Sequence, residues 1–304
     1  MYNGIINVYK EKGYTSFDVV AKLRGILKQK KIGHTGTLDP DATGVLPVCL
    51  GKGTKLCDML LDKDKTYKAV LIFGIATDTE DIGGNVIEKI DIETVKKEID
   101  NEKLEAAIKS FEGEYDQIPP MYSAIKVNGK KLYQLAREGK IIERKPRRVK
   151  ILDISIEKIQ FPRVYFTVKC SKGTYIRSLC RDIGTRLSVP ACMEQLERIK
   201  VSRFNIDDSL TLSQIERLVI ENNIEKYILP VDEALADYKK VVVKNQFSKL
   251  LYNGNPIELE MLKEPYGLEI NESVRIYDET GTFIAIYQLR ENYQLKNVKM
   301  FYEK

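Results

Sequence analysis

The stretch Gly33-His34-Thr35-Gly36-Thr37-Leu38-Asp39-Pro40 constrains this chain more than any other segment. Glycine, threonine and proline at this density specify a tight loop with exposed backbone, a scaffold suited to chemistry rather than packing. The loop carries the only histidine of the chain, followed five positions later by an aspartate locked before a proline. An Asp-Pro pair taken alone is equally a plain turn start. The rest of the sequence has to give the loop its task.

Around it the chain reads as strands interspersed with helices. Residues 4–9 form a short strand, and Thr15 with Asp18 three residues on is a capping signal. The helix that follows, to about Gln29, places Phe17, Val20, Leu23 and Leu27 on one stripe. After the loop comes the apolar run Val45–Leu50, then the strand Thr66–Gly74, rich in β formers and stopped by glycine. A polar turn from Thr77 to Gly84 leads to a strand near Val86–Ile90. Leu104, Ala107, Ile108 and Phe111 mark an amphipathic helix, and Pro119-Pro120 breaks the chain after it. Strands near 148–159 and 164–170 precede a helix around Ile176–Leu187. This order lacks a regular βαβ rhythm, so the fold class is α+β with a mixed or antiparallel sheet and flanking helices. Past Leu229-Pro230-Val231-Asp232 the texture changes to short strands at 240–243, 256–259, 272–277, 282–288 and 296–302, the pattern of a small β-barrel.

Several classes fall away. No apolar run approaches the roughly 20 residues of a membrane span, and the first ten residues lack the basic-then-apolar order of a secretory signal. The five cysteines lack Cys-x-x-Cys spacing, and with one histidine there is no zinc set; reduced thiols in a cytoplasmic protein are expected. Gly51-Lys52-Gly53-Thr54 has the wrong order for a Walker loop, no Gly-x-Gly-x-x-Gly opens a helix, and no Gly-x-Ser-x-Gly elbow could serve a triad.

Charge is unevenly placed. Residues 126–150 hold ten Lys/Arg against Glu138 and Glu143, a net of +8, whereas the whole chain carries only +5, so the remainder sums to −3. Positive charge beside Tyr122 and Tyr133 suggests a polyanion surface with stacking platforms. Residues 241–304 hold eight bases and nine acids.

Four segments in this order resemble the bacterial tRNA pseudouridine-55 synthases, the TruB family of pseudouridine synthases. Gly33 through Gly44 matches the family's Gly-His-x-Gly-Thr-Leu-Asp-Pro-x-Ala-x-Gly, and Lys65-Thr66-Tyr67 matches its tyrosine strand. Gln117 through Lys126 is similar to the insertion that grips the T stem-loop, and Lys172 through Arg177 to the Lys-Gly-Thr-Tyr-Ile-Arg signature. The tail looks like a PUA domain. The resemblance implies a catalytic domain at 1–237 with an RNA-binding insertion at about 112–147, followed by a PUA-like RNA-binding domain at 238–304.

By the same resemblance Asp39 is the catalytic carboxylate. His34, Tyr67, Tyr175, Arg177 and Leu196 bind the substrate, and Lys126, Lys130, Lys131, Arg147 and Arg148 bind RNA. His34 is expected to help extrude the uridine, and Tyr67 to stack on uracil and assist proton removal from C5. Arg177 is expected to pair with Asp39 and lower its pKa. Leu196 is otherwise read as helix core. The reaction gains and loses no atoms, so no cofactor, nucleotide or metal is expected. A carboxylate can act as nucleophile, or as the base that removes the C2′ proton. The expected partner is the T stem-loop of tRNA, and the expected state is a monomer. Two departures stand out. The family's Lys-Pro-x-Gly segment is here Lys10-Glu11-Lys12-Gly13, and the glycine before Phe204 is absent. Two other readings compete: an RNA-binding or RNA-folding module without the activity, and a pseudouridine synthase acting on another RNA.

Overall fold

The computed structural model describes residues 1–303, without the side chain of Glu98. Strands β1 (Gly4–Lys10), β2 (Thr43–Leu50), β3 (Lys65–Phe73), β4 (Gly113–Gln117), β5 (Arg147–Gln160), β6 (Arg163–Cys170), β7 (Ala191–Val201) and β8 (Ile228–Leu229) form one mixed sheet. Its order is β8-β1-β2-β7-β3-β6-β5-β4. Every pairing in that row is antiparallel except β7 with β2, where Glu197 faces Thr43 and Arg198 faces Gly44. That parallel seam joins two antiparallel blocks at the centre of the sheet, beside the motif loop.

β3 is central because Tyr67 and the run Ala69–Phe73 are buried, the pattern of a strand covered on both faces. Helices α1 (Ser16–Ile26) and α4 (Leu212–Ile220) cover β1 and β2 with Val19, Val20, Leu23, Leu212 and Ile215. Helices α2 (Asn101–Lys109) and α3 (Ile176–Arg186) supply a second core over β3, β5 and β6. Thr15 caps α1 through the capping box with Asp18, at 3.0 and 2.8 Å. Phe17 lies outside the stripe expected of it: it is 63 % exposed, and Val19 takes its place in the core. Phe17 lies on the solvent face of α1, where the Arg24 guanidinium stands 5.9 Å from its ring centre.

The tail contains β9 (Lys239–Val242), β10 (Ile257–Glu258), β11 (Ser273–Tyr277), β12 (Phe283–Leu289) and β13 (Gln294–Met300), in the order β9-β11-β12-β13-β10. The expected barrel is a row of five strands whose two edges meet: Val243 bridges Leu262, and the Lys244 and Lys263 amides donate to the Met261 and Val242 carbonyls, each at 2.9 Å. Only two residues of β10 stay extended before a 3₁₀ turn at Leu259–Met261, so the edges meet through residues 261–263 just beyond that strand. The tail has its own core around Val241, Ile276 and Tyr287. It also shares one with the eight-stranded row, where Phe283, Ile286 and Phe301 meet Ile5, Val45 and Phe204. All five cysteines are free thiols, and among the described residues no helix is long and apolar enough to cross a membrane.

Candidate active site

The motif loop is held from three sides before its side chains do anything. The Leu38 amide donates to the Ser16 hydroxyl at 2.9 Å, so the start of α1 fixes the backbone one residue before Asp39. The Gly13 amide donates to the Pro40 carbonyl at 2.9 Å. Buried Lys10 donates to the carbonyls of Glu11, Tyr14 and Pro40 at 3.1, 2.6 and 3.0 Å. Burial lowers its pKa to about 8, against the pull of Asp39 and Asp41. Three backbone carbonyls therefore hold the turn that lacks the family's proline. Gly44 closes the seam: its φ is +103°, and a Cβ there would meet the Arg198 carbonyl oxygen at 2.2 Å.

Asp39 then faces a cleft of about 1540 Å³, its side chain 39 % exposed. Arg177, at the start of α3 and 5 % exposed, grips it with both edges of its fork: Nε to Oδ2 at 2.9 Å and Nη2 to Oδ1 at 3.2 Å. The remaining donors are also committed. Nη1 bonds the Thr79 carbonyl at 2.9 Å and stands 3.5 Å from the Asp81 carboxylate, and Nη2 bonds the Tyr122 carbonyl at 3.0 Å. One guanidinium thus serves two carboxylates and two carbonyls from three separate segments. Arg177 pulls the Asp39 pKa down, as expected, but burial outweighs it. Burial raises it, Arg177 opposes, Asp81 adds to the rise, and the net direction is upward.

Tyr67 and Leu196 sit on adjacent strands β3 and β7, and Tyr175 caps α3; all three line the cleft. Leu196 is therefore a strand residue, not helix core. Gln117, buried, clamps the Tyr175 peptide by accepting from its amide at 2.8 Å and donating to its carbonyl at 3.0 Å. Burial raises the pKa of both tyrosine hydroxyls. His34 is on a short strand, Ile32–His34, paired with β2, and its Nδ1 accepts from the Gly36 amide at 3.3 Å. Burial and Arg198 lower its pKa, which keeps the ring neutral. It is absent from the residues that line the cleft. Among the described residues no three metal-ligating side chains are grouped.

The insertion forms the opposite wall, where Tyr122, Ser123, Tyr133 and Arg137 line the cleft. Lys126 and Lys130 are exposed on a two-residue hairpin, and the Lys131 ammonium lies 5.5 Å from the Tyr133 ring centre. Arg147 is exposed. Arg148 is already engaged, with Glu114 and Asp116 of β4 each at 3.2 Å.

The family described as TruB family pseudouridylate synthase (N terminal domain) matches residues 24–176, and the tRNA pseudouridylate synthase B C-terminal domain matches residues 177–236. A protein of Lachnoclostridium phytofermentans named tRNA pseudouridine synthase B is 53 % identical over 310 residues, covering 98 % of this chain and 99 % of its own. The chain belongs to the TruB family of pseudouridylate synthases.

Members of the same name from Clostridium kluyveri and Staphylococcus haemolyticus are 46 % and 44 % identical, each over at least 98 % of this chain and 99 % of their own. Among solved structures, a chain of an H/ACA RNP bound to a substrate RNA containing 2′-deoxyuridine superposes with a TM-score of 0.74 at 25 % identity. It covers 99 % of this chain and 85 % of that one. A Cbf5-Nop10-Gar1 complex gives 0.74 at 28 %, over 98 % and 85 %. The sheet is thus the pseudouridine synthase fold. The two matched family regions end at residue 236, ahead of the tail.

Within this TruB family site, three groups escape sequence reading: Asp81, Glu80 and Arg198. Residues 77–84 read only as a polar turn, since nothing in their spacing announces that Asp81 returns to Arg177. Glu80 secures that turn. It adopts φ +64°, is 8 % exposed, and accepts from the Ser178 hydroxyl at 2.6 Å and from Arg181. Two consecutive acids therefore lock the turn onto two turns of α3.

Proposed function

We propose that this enzyme converts uridine 55 in the T loop of tRNA to pseudouridine, with Asp39 as the catalytic carboxylate. The observation that carries this reading is the Arg177 fork on Asp39 at 2.9 and 3.2 Å, at the floor of a cleft walled by Tyr67 and Tyr175. A free RNA-binding module has no use for a buried arginine that aims a partly exposed carboxylate into a groove. The names of the relatives point to tRNA as the substrate class.

In this reading the T-loop uridine leaves its stack and enters the cleft, where Tyr67 packs on the uracil and Leu196 and Tyr175 limit its sideways movement. The bond from ribose C1′ to N1 breaks, the base turns, and C5 bonds to C1′. The C5 proton leaves and N1 gains one, so the balance is complete. Asp39 starts the sequence by attack as a nucleophile or by removing the C2′ proton, and Arg177 fixes its direction in both cases. His34, with a neutral ring, helps take the uridine out of its stack, the ring filling the place of the base. Lys126, Lys130, Lys131 and Arg147 meet phosphates of the stem.

The same reading takes 1–237 as the catalytic domain with the insertion at 112–147, and 238–304 as a PUA-like RNA-binding domain. It takes the enzyme as a cytoplasmic monomer. Incubation with unmodified tRNA transcript, followed by carbodiimide mapping, tests it: the expected product is a single pseudouridine at position 55. Modification at another position, or none, rejects it.

A further inference from the structure

Among the described residues Arg198 is the largest wholly buried side chain, 1 % exposed, yet it lines the reaction cleft. Arg177 meets two carboxylates, whereas Arg198 forms no ion pair among the described residues. Its Nε donates to the Val45 carbonyl at 2.7 Å and its Nη2 lies 3.4 Å from the Gly36 carbonyl, one contact on each side of the motif loop. The basic groups that feel its charge, Lys10, Lys65 and His34, repel it. A buried guanidinium without a counterion is costly, and such a group is kept where negative charge arrives during the work of the site.

One neighbour can supply that charge. Tyr67 is the register partner of Arg198 across β3 and β7, so both side chains leave the same face of the sheet side by side. That pairing places the guanidinium where its charge acts on the phenol oxygen.

We propose that Arg198 is a positioning residue for Tyr67: it holds the phenol oxygen toward uracil C5 and balances the phenolate that takes the C5 proton. The proposal rests on the isomerase reading above. The phenol first loses its proton to water in the open cleft. The C5–H bond then breaks to the phenolate, an O–H bond forms, the electron pair restores C5=C6, and N1 takes a proton from water. The other titratable groups acting on Tyr67 are Cys170, on the strand beside it, and Asp39, across the cleft. Burial favours the neutral phenol most strongly, both of these groups add to it, and Arg198 alone opposes them, so the phenol depends on that guanidinium to give up its proton.

Single-turnover conversion of T-arm RNA carrying protium or deuterium at the target C5 tests this, using wild type, Arg198→Met and Arg198→Lys at saturating enzyme. The expected result is unchanged RNA affinity, a rate about 100-fold lower for Arg198→Met, and an isotope effect above that of wild type. Arg198→Lys, which keeps the charge, recovers most of the rate. A loss of rate with an unchanged isotope effect overturns the proposal, as does a loss expressed as weaker RNA binding. Should Arg198→Met fail to fold, Arg198→Gln, which also removes the charge, decides by the same criterion: an isotope effect above wild type supports, an equal one overturns. A wild type that makes no pseudouridine from this RNA rejects the isomerase reading itself, before any variant is compared.

Discussion

Lys10 and Lys126 carry the same ammonium group, and the molecule uses them in opposite ways. Lys10 is wholly buried, satisfied by three carbonyls, and its pKa is pulled down to about 8 to hold one turn of backbone. Lys126 projects from a two-residue strand into solvent. The same contrast separates the two walls of the cleft. Around Asp39, positive charge is buried and fixed by Arg177, Arg198 and Lys10, and precision is gained at the cost of desolvation. Around Lys126 and Lys130, charge stays exposed to solvent, Lys130 held only by the Glu138 carboxylate at 3.4 Å, and is suited to phosphates whose positions vary with the RNA. One wall is for geometry, the other for attraction, and each can be broken separately.

The largest expected effect comes from the buried wall. Asp39→Asn keeps the shape and leaves Arg177 its bonds to Asp81, Thr79 and Tyr122, so the fold persists. Pseudouridine formation falls by about 10³- to 10⁴-fold, the usual scale for a lost essential base or nucleophile, while affinity for T-arm RNA stays near wild type. Parallel rate and filter-binding assays check this. A variant that loses binding instead of rate places Asp39 in the wrong wall.

Next comes the exposed wall. Replacing Lys126, Lys130 and Lys131 together with alanine weakens RNA binding and flattens its dependence on salt, by roughly 0.7–0.9 in log–log slope for each lysine that meets a phosphate. The single-turnover rate at saturating enzyme stays unchanged. A rate loss that persists at saturation sets these lysines within the geometry-giving wall and erases the distinction.

A smaller effect tests the electrostatics of the floor. Asp39 has its pKa raised by burial, with Asp81 adding to the rise and Arg177 opposing it. Catalysis by the ionised carboxylate then fades as pH falls through that raised value, so the acid limb of the rate profile lies above the ordinary aspartate range near 3.9. Asp81→Asn removes a like charge and leaves the arginine to Asp39 alone. The acid limb therefore moves to lower pH. A shift upward means that Asp81 acts mainly by holding Arg177 in place.

The two walls also differ in how much of them the sequence reveals. The loop, Tyr67 and Arg177 are legible because their chemistry is confined to short contiguous motifs. The tail strands are legible because turns such as Asn253-Gly254 punctuate them. Leu196 is misread because Met193, Leu196 and Ile199 recur every three residues, as in a helix. The strand obtains that spacing from bulges between Met193 and Gln195 and between Arg198 and Lys200, which break its period of two. Asp81 and Arg198 are invisible for another reason: their partners are far away in sequence, and only the parallel seam and the Thr77–Gly84 turn bring them together. The upward pKa of Asp39 is hidden likewise, since burial depends on the whole cleft and a motif shows only the neighbouring charge.

Arg148 gives the smallest effect and the sharpest distinction between charge that is present and charge that is available. By composition it is one of ten bases in the densest basic run of the chain. In the folded protein its fork is divided between Glu114 and Asp116 across the β4–β5 pairing, which raises its pKa through those two acids. A phosphate must compete with both carboxylates to reach it, so Arg148→Ala leaves RNA affinity and salt slope close to wild type, unlike the lysine variants on the adjacent hairpin. Glu114→Gln with Asp116→Asn releases the same arginine and steepens the salt slope. If Arg148→Ala lowers the slope as much as a lysine change does, the ion pairs open on binding and the basic segment acts as one surface after all.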